Sequence, residues 1–128
     1  MSTRCYIGIQ YDSRYCLKVD YIYCHSDGYP QGVGRTLLDH YNSYEKAKEL
    51  ISNGNMSGLN PTIDECNFYK DYDDEEWEDC KPKLHKCYRI EDIPSYIEYI
   101  YLYDQLFDEW KFCDTGYKEL KSYLDKCD

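Results

Sequence analysis

Apolar and polar side chains alternate at the start of the chain, and this alternation predicts two paired β-strands. In residues 4–11 every second position from Cys5 to Tyr11 falls on one side of an extended chain, and residues 17–24 alternate likewise. A period of two is typical of a half-buried strand, and the polar segment between the two runs has the composition of a turn. We therefore expect an antiparallel hairpin.

The pattern then changes to helical spacing. Residues 33–41 repeat apolar side chains at intervals of three and four, which favours a short amphipathic helix. Asn42, with Glu45 three residues later, resembles a capping box and predicts the start of a second helix there. Gly54 is well placed to end that helix.

The second half predicts one more hairpin and a terminal helix. Residues 66–70 favour a short strand, residues 98–103 and 109–113 form an alternating pair, and residues 117–127 carry an apolar helical face. The element order is ββααβββα. We expect a single α+β domain over residues 1–128, an antiparallel sheet of two hairpins with helices packed on one face.

Charge divides the chain into two unlike halves. The first 60 residues carry six acids and six bases, so the whole net charge of −10 belongs to residues 61–128. Such a charge repels phosphates, so direct binding of nucleic acid is not expected. No apolar run is long enough to cross a bilayer and no signal-peptide pattern opens the chain, so we expect a cytoplasmic protein.

Eight cysteines and 17 tyrosines stand out in the composition. Without a secretion signal, the cysteines are expected to be reduced and mostly buried. Cys80, His85 and Cys87 offer three zinc ligands, but their spacing lacks the close pairs of a structural zinc site. No metal and no cofactor is expected.

The segment YCHSDGYPQGVGR allows three interpretations. His25 and Asp27 could act as a general base, but no nucleophile accompanies them, so no catalytic residue is assigned. The glycines ahead of a helix could cradle an anion near Arg35. A structural turn, in which the glycines supply positive φ, is favoured. The candidate ligand- or anion-binding residues are His25, Asp27, Gly28, Tyr29, Gly32, Gly34, Arg35 and His40.

An acidic segment with two aromatic side chains lies in the second half. Seven of the nine positions from Asp71 to Asp79 are acidic, interrupted by Tyr72 and Trp77. An EF-hand is excluded, because its sixth position would need glycine. The segment is either a solvated loop or a contact surface for a basic partner. The candidate partner-binding residues are Asp71, Asp73, Asp74, Glu75, Glu76 and Trp77.

Residues 23–41 (YCHSDGYPQGVGRTLLDHY) and 98–104 (EYIYLYD) carry a resemblance to a known family. The chain resembles small phage and prophage proteins of Gram-positive bacteria, which share a Y-C-H-x-D-G-Y-P-x-x-V-G stretch and a late tyrosine-rich strand. The match covers both ends of the chain better than its middle. The resemblance implies a counter-defence context, as in anti-CRISPR proteins and in sponge proteins that sequester cyclic nucleotide signals.

These features predict a non-enzymatic, acidic, stoichiometric inhibitor of a host immune effector that acts on nucleic acid. Its expected partner is a basic protein surface in the host bacterial cytoplasm, and no membrane binding is expected. One alternative is a sponge that sequesters a cyclic nucleotide immune signal. A second alternative is a small hydrolase that uses His25 and Asp27. A homodimer is left open.

Overall fold

A computed structural model describes residues 3–11, 18–72, 76–85, 97–105, 108–113 and 117–119 of the chain. The strands are β1 (Cys5–Tyr11), β2 (Lys18–Cys24), β3 (Met56–Gly58), β4 (Asn67–Phe68), β5 (Lys83–His85), β6 (Tyr99–Asp104), β7 (Glu109–Cys113) and β8 (Tyr117–Glu119). The helices are α1 (Arg35–His40), α2 (Tyr44–Ile51) and α3 (Trp77–Cys80). A π-helical turn, Pro30–Gly34, leads directly into α1.

The strands form one mixed sheet in the order β4-β3-β2-β1-β6-β7-β8, with β5 paired antiparallel to β2 outside this order, and the fold is α+β. β1 pairs antiparallel with β2, and β6 pairs antiparallel with β7. However, β1 pairs parallel with β6, and β2 pairs parallel with β3, so the expected antiparallel sheet is wrong. Local alternation shows that strands exist but not how distant strands meet, and the long β2–β6 connection has room for the crossover that parallel pairing needs.

The main core lies on one face of this sheet. Cys5, Ile7 and Ile9 of β1 are fully buried there, together with apolar side chains of α1 and α2. A smaller apolar cluster occupies the opposite face and is built from Val19, Ile97, Ile100 and Leu102. Partly buried Tyr6, Tyr21 and Tyr23 pack against this smaller cluster.

The start of α2 differs by one residue from the expected capping box. The N-cap is Ser43, in extended conformation, and its Oγ accepts the Lys46 backbone N–H at 3.2 Å. Asn42 is therefore not the cap, and the pairing with Glu45 that the sequence suggested is wrong. The predicted end at Gly54 is confirmed, because Gly54 has φ +87° and its N–H donates to the Ile51 carbonyl.

The prediction of a helix beginning at residue 117 is also wrong. Tyr117–Glu119, where the terminal helix was expected to begin, forms β8 and pairs antiparallel with β7. The rest of the predicted helix lies outside the described residues. The apolar spacing of residues 117–127 is helical, which is why a helix was expected. Spacing alone does not show that the β7 edge is available for the segment to pair with. In the predicted strand 66–70, only Asn67–Phe68 is extended as β4.

Replacing Ser43 with Ala removes the one side-chain oxygen that caps α2. The free energy of unfolding is expected to fall by about 1 kcal/mol, the usual cost of losing a serine cap. Asn42→Ala is the matched control, since Asn42 is exposed, and its effect should stay within about 0.5 kcal/mol. Urea unfolding of both variants gives the comparison, and a larger loss from Asn42→Ala would contradict the assignment of the cap.

Candidate functional site

The turn after β2 is held against the start of β1. The Gly28 N–H donates to the Thr3 carbonyl at 2.9 Å, and the Gly28 carbonyl accepts a 2.6 Å hydrogen bond from the buried Tyr101 hydroxyl. The residue with positive φ here is Asp27 (φ 57°), not Gly28. The expectation that Gly28 supplies a left-handed conformation is therefore wrong.

Gly28 is required for a different reason, close approach of two backbones. A β-carbon built at Gly28 would lie 2.8 Å from the Thr3 carbonyl oxygen and 2.9 Å from the Cys5 Cβ. Gly32 is similar, because its β-carbon would lie 2.5 Å from the Asp27 carbonyl oxygen. Both glycines let the turn fold tightly back on itself and on β1.

The backbone donors ahead of α1 are used within the turn. The Gly32 N–H donates to the Tyr29 carbonyl and the Val33 N–H to the Asp27 carbonyl, both at 2.9 Å. The Arg35 N–H donates to the preceding turn of the π-helical segment. These three N–H groups, which an anion cradle would use, are therefore directed at carbonyl oxygens of the same segment.

The two candidate histidines lie in separate places. His25 Nδ1 is 2.7 Å from the Tyr23 hydroxyl oxygen, and within the described residues no hydrogen bond or ion pair joins His25 to Asp27. His40 is exposed at the end of α1, where it lines a cavity of about 170 Å³ together with Lys46 and Glu49. The turn thus brings no base, nucleophile and orienting group together.

The buried Tyr41 side chain forms part of the wall of the His40 cavity. Tyr41, which also lines it, donates its hydroxyl to the Asn60 carbonyl at 2.7 Å. Burial raises the pKa of Tyr41, and its contact with Cys66 raises it further. Tyr41 therefore stays protonated and serves as a fixed donor rather than as a reactive group.

Two thiols face each other across the first hairpin. Cys5 and Cys24 are directly opposed in the β1–β2 register and both are fully buried. Burial raises the pKa of the Cys5 thiol, whereas its hydrogen bond to Cys24 lowers the pKa of Cys24. The thiols of Cys5, Cys24, Cys66 and Cys80 are buried, as expected. Their burial limits reaction with reagents in solvent.

The acidic segment presents an exposed surface shortly after β4, the edge strand of the sheet. Asp73, Asp74 and Glu75 lie outside the described residues. The remaining members, including Asp71 and Glu76, are exposed. We define the acidic aromatic surface as Asp71, Tyr72, Glu76, Trp77, Glu78 and Asp79.

The sequence did not predict one further feature, a cavity lined by tyrosine side chains. A cavity of about 230 Å³ opens on the sheet face opposite the main core, lined by Tyr6, Tyr21, Tyr23, Asn55 and Lys83. We call it the tyrosine cavity. Strand alternation does place the Tyr21 and Tyr23 rings on one side of β2. β5, which supplies Lys83, had no such signal, so the cavity was not recognisable from the sequence.

The described residues contain no cluster of three or more side chains suited to holding a metal ion. Among the same residues, no helix has the length and apolar character needed to cross a membrane. No protein-family model matches the sequence, and neither a curated protein nor a solved structure shows significant similarity to it. The function must therefore be argued from the geometry of these surfaces.

Gly28→Ala is expected to destabilise the fold by about 1–3 kcal/mol, because the added methyl group overlaps the Thr3 carbonyl oxygen and the Cys5 β-carbon. Gly58→Ala is the control, since a β-carbon there meets its nearest neighbour at an ordinary 3.6 Å. Thermal and urea unfolding of the two variants measure the difference. Equal stability of the two would refute close packing at Gly28.

Tyr101→Phe removes the hydroxyl that bonds to the Gly28 carbonyl. The loss leaves a buried acceptor unsatisfied, so the free energy of unfolding is expected to fall by about 1–3 kcal/mol. Tyr99→Phe, two residues earlier on the same strand, removes a hydroxyl with no hydrogen bond among the described residues and should change stability little. If denaturant midpoints shift equally, the Tyr101 bond does not anchor the turn.

Proposed function

We propose that the protein is a non-enzymatic inhibitor that binds a basic surface of a host immune effector acting on nucleic acid. The observation that carries the proposal is the exposure of two large aromatic rings within the acidic aromatic surface. Tyr72 is 42% exposed and Trp77 is 44% exposed. Such rings are typical anchors of protein interfaces, where tryptophan and tyrosine contribute much of the binding energy.

The rings stand on an ordered framework. The Asn55 N–H donates to the Cys80 carbonyl at 2.7 Å and thereby fixes the end of α3, which begins with Trp77. Tyr72 lies edge-on to the ring of Tyr69, and its hydroxyl is 3.2 Å from Ser57 Oγ on β3. An anchor that is already held in place loses less conformational entropy on binding.

The charge around these rings selects the partner. Four exposed acids lie in the acidic aromatic surface, and the nearby exposed Lys81 is already paired with Glu78 at 2.6 Å. A surface of this sign is complementary to the basic channel in which an effector holds nucleic acid, because carboxylates can occupy positions that phosphates otherwise take. The expected partner of the acidic aromatic surface is therefore a basic protein surface.

The two other functions suggested by the sequence have different support. Sequestration of a nucleotide stays a second hypothesis, and the observation in its favour is the tyrosine cavity rather than the glycine turn. A hydrolase based on His25 and Asp27 has less support, because the ring nitrogen of His25 bonds to the Tyr23 hydroxyl.

The test uses purified CRISPR effector nucleases and measures binding by calorimetry together with inhibition of DNA cleavage. The triple variant Asp71→Asn, Glu76→Gln, Asp79→Asn should bind more weakly, and its affinity should depend less on salt, because long-range attraction is reduced. Trp77→Ala should weaken binding by about tenfold or more while leaving the salt dependence unchanged.

A second triple variant provides the matched control. Asp39→Asn, Glu45→Gln and Asp64→Asn change the net charge by the same amount at exposed positions outside the acidic aromatic surface. This control should bind like the unmodified protein. Equal weakening by both triple variants would mean that overall charge, not this surface, drives association. Absence of binding to any effector at low salt would overturn the proposal.

A further inference from the structure

Four side chains converge on one face of the sheet because of strand register. Tyr6 of β1 lies opposite Tyr23 of β2, and Tyr21 of β2 lies opposite Lys83 of β5. Directly opposed residues project to the same face, and the next but one residue along a strand does so too. The three rings and the lysine therefore line the tyrosine cavity from neighbouring strands.

Gly8 makes room for this arrangement. It lies opposite Tyr21 in the register, and a β-carbon there would be 3.0 Å from the Tyr21 Cβ and 3.2 Å from Leu102 Cδ2. Without that β-carbon, the Tyr6 and Tyr21 rings pack with their centroids 4.7 Å apart at 42°. A glycine inside a strand often marks such a close approach.

A break in the strand edge supplies a hydrogen-bond donor. β5 pairs with Val19–Tyr21 of β2, whereas β3 pairs with β2 at Cys24. Between them, the Tyr23 N–H donates to Asn55 Oδ1 at 2.9 Å. Because Asn55 Oδ1 already accepts the Tyr23 N–H, Asn55 Nδ2 is the group that can donate to a ligand in the cavity. Among the described residues, no acceptor is hydrogen-bonded to Asn55 Nδ2.

Lys83 provides the charge. It is exposed, and the structure records no ion pair for it within the described residues. Its neighbour Lys81, by contrast, is paired with Glu78 outside the cavity. Among the described residues that line the cavity there is no carboxylate, and their polar groups are an ammonium group, an amide donor and phenolic hydroxyls.

We propose that the tyrosine cavity binds a nucleotide, with the base against the tyrosine rings and the phosphate at Lys83. Aromatic rings on a sheet face are a common platform for bases, because every base has a π-face that can stack. The lysine ammonium and the Asn55 amide both suit a phosphate oxygen. A cavity of about 230 Å³ is below the roughly 300–1,000 Å³ of pockets for drug-sized ligands, so it is expected to hold the base while the sugar and phosphate extend to the exposed Lys83.

The experiment compares adenosine 5′-monophosphate, adenosine and inorganic phosphate as probes, by calorimetry and by changes in the NMR signals of the tyrosine rings. The monophosphate is expected to bind most tightly, adenosine more weakly and phosphate least. Lys83→Gln should lower the affinity for the monophosphate to that for adenosine and leave adenosine binding unchanged. Lys81→Gln, with the same charge change two residues away, should behave like the unmodified protein.

Tyr21→Leu keeps an apolar side chain but removes the π-face. It should weaken the monophosphate and adenosine alike, by about 5- to 150-fold, the range that loss of one base–aromatic stack produces. Should this variant fold poorly, Lys83→Gln still decides the question, because Lys83 is exposed. Unchanged monophosphate affinity in Lys83→Gln would overturn the proposal. So would absence of binding by all four common nucleoside monophosphates at millimolar concentration.

This proposal and the proposed inhibitory function can fail separately. The variant Asp71→Asn, Glu76→Gln, Asp79→Asn should bind the monophosphate like the unmodified protein, because none of these residues lines the tyrosine cavity. Lys83→Gln should in turn leave the salt-dependent binding of effector nucleases unchanged. A monophosphate affinity that fell in the acidic variant would contradict the assignment of the ligand to this cavity.

Discussion

The tyrosine and tryptophan rings in the core must satisfy their polar ends, and this constraint organises the molecule. Tyr101 and Trp110 are buried on β6 and β7, and each donates a hydrogen bond to a loop carbonyl, of Gly28 and of Tyr41 respectively. Tyr41 is itself buried and donates to the Asn60 carbonyl. Since an unpaired buried donor is costly, burial of each ring also fixes a loop.

The same constraint explains why the parallel pairing of β1 with β6 matters. β1 stands between β2 and β6, so it receives hydrogen bonds along both edges. The turn after β2 then contacts the start of β1 through Gly28, while Tyr101 of β6 holds the other side of that residue. Strand pairing and ring burial therefore fix the position of the glycine turn together. The segment resembles a ligand-binding loop in sequence, but these contacts give it a structural role.

The sequence was informative where a feature depends on local periodicity. Strands β1 and β2 were predictable because alternation over seven residues reflects a half-buried face. The α2 cap was misplaced by one residue because Asn42 and Ser43 are both good caps, and only the backbone conformation distinguishes them. Gly28 was recognised as a turn glycine, but the reason for glycine there, close contact with Thr3 and Cys5, is a tertiary property.

Long-range features were beyond such reasoning. The mixed sheet depends on which hairpin edges meet, and the tyrosine cavity depends on Lys83 arriving beside Tyr21 from a three-residue strand. Neither depends on the spacing of neighbouring residues. The acidic aromatic surface was recognisable, since it is continuous in sequence, but the framework behind Trp77 became visible only in the structure.

Asn55 lines the tyrosine cavity and also supports the acidic aromatic surface through backbone hydrogen bonds. Its backbone N–H holds Cys80 at the end of α3, its carbonyl accepts the Tyr69 N–H, and its side chain closes the edge of β2 beside Tyr23. Hydrogen bonds of this one residue thus support both the wall of the tyrosine cavity and the base of the acidic aromatic surface. Local unfolding that released Asn55 would loosen both at once, so hydrogen exchange in the two regions should share one opening event.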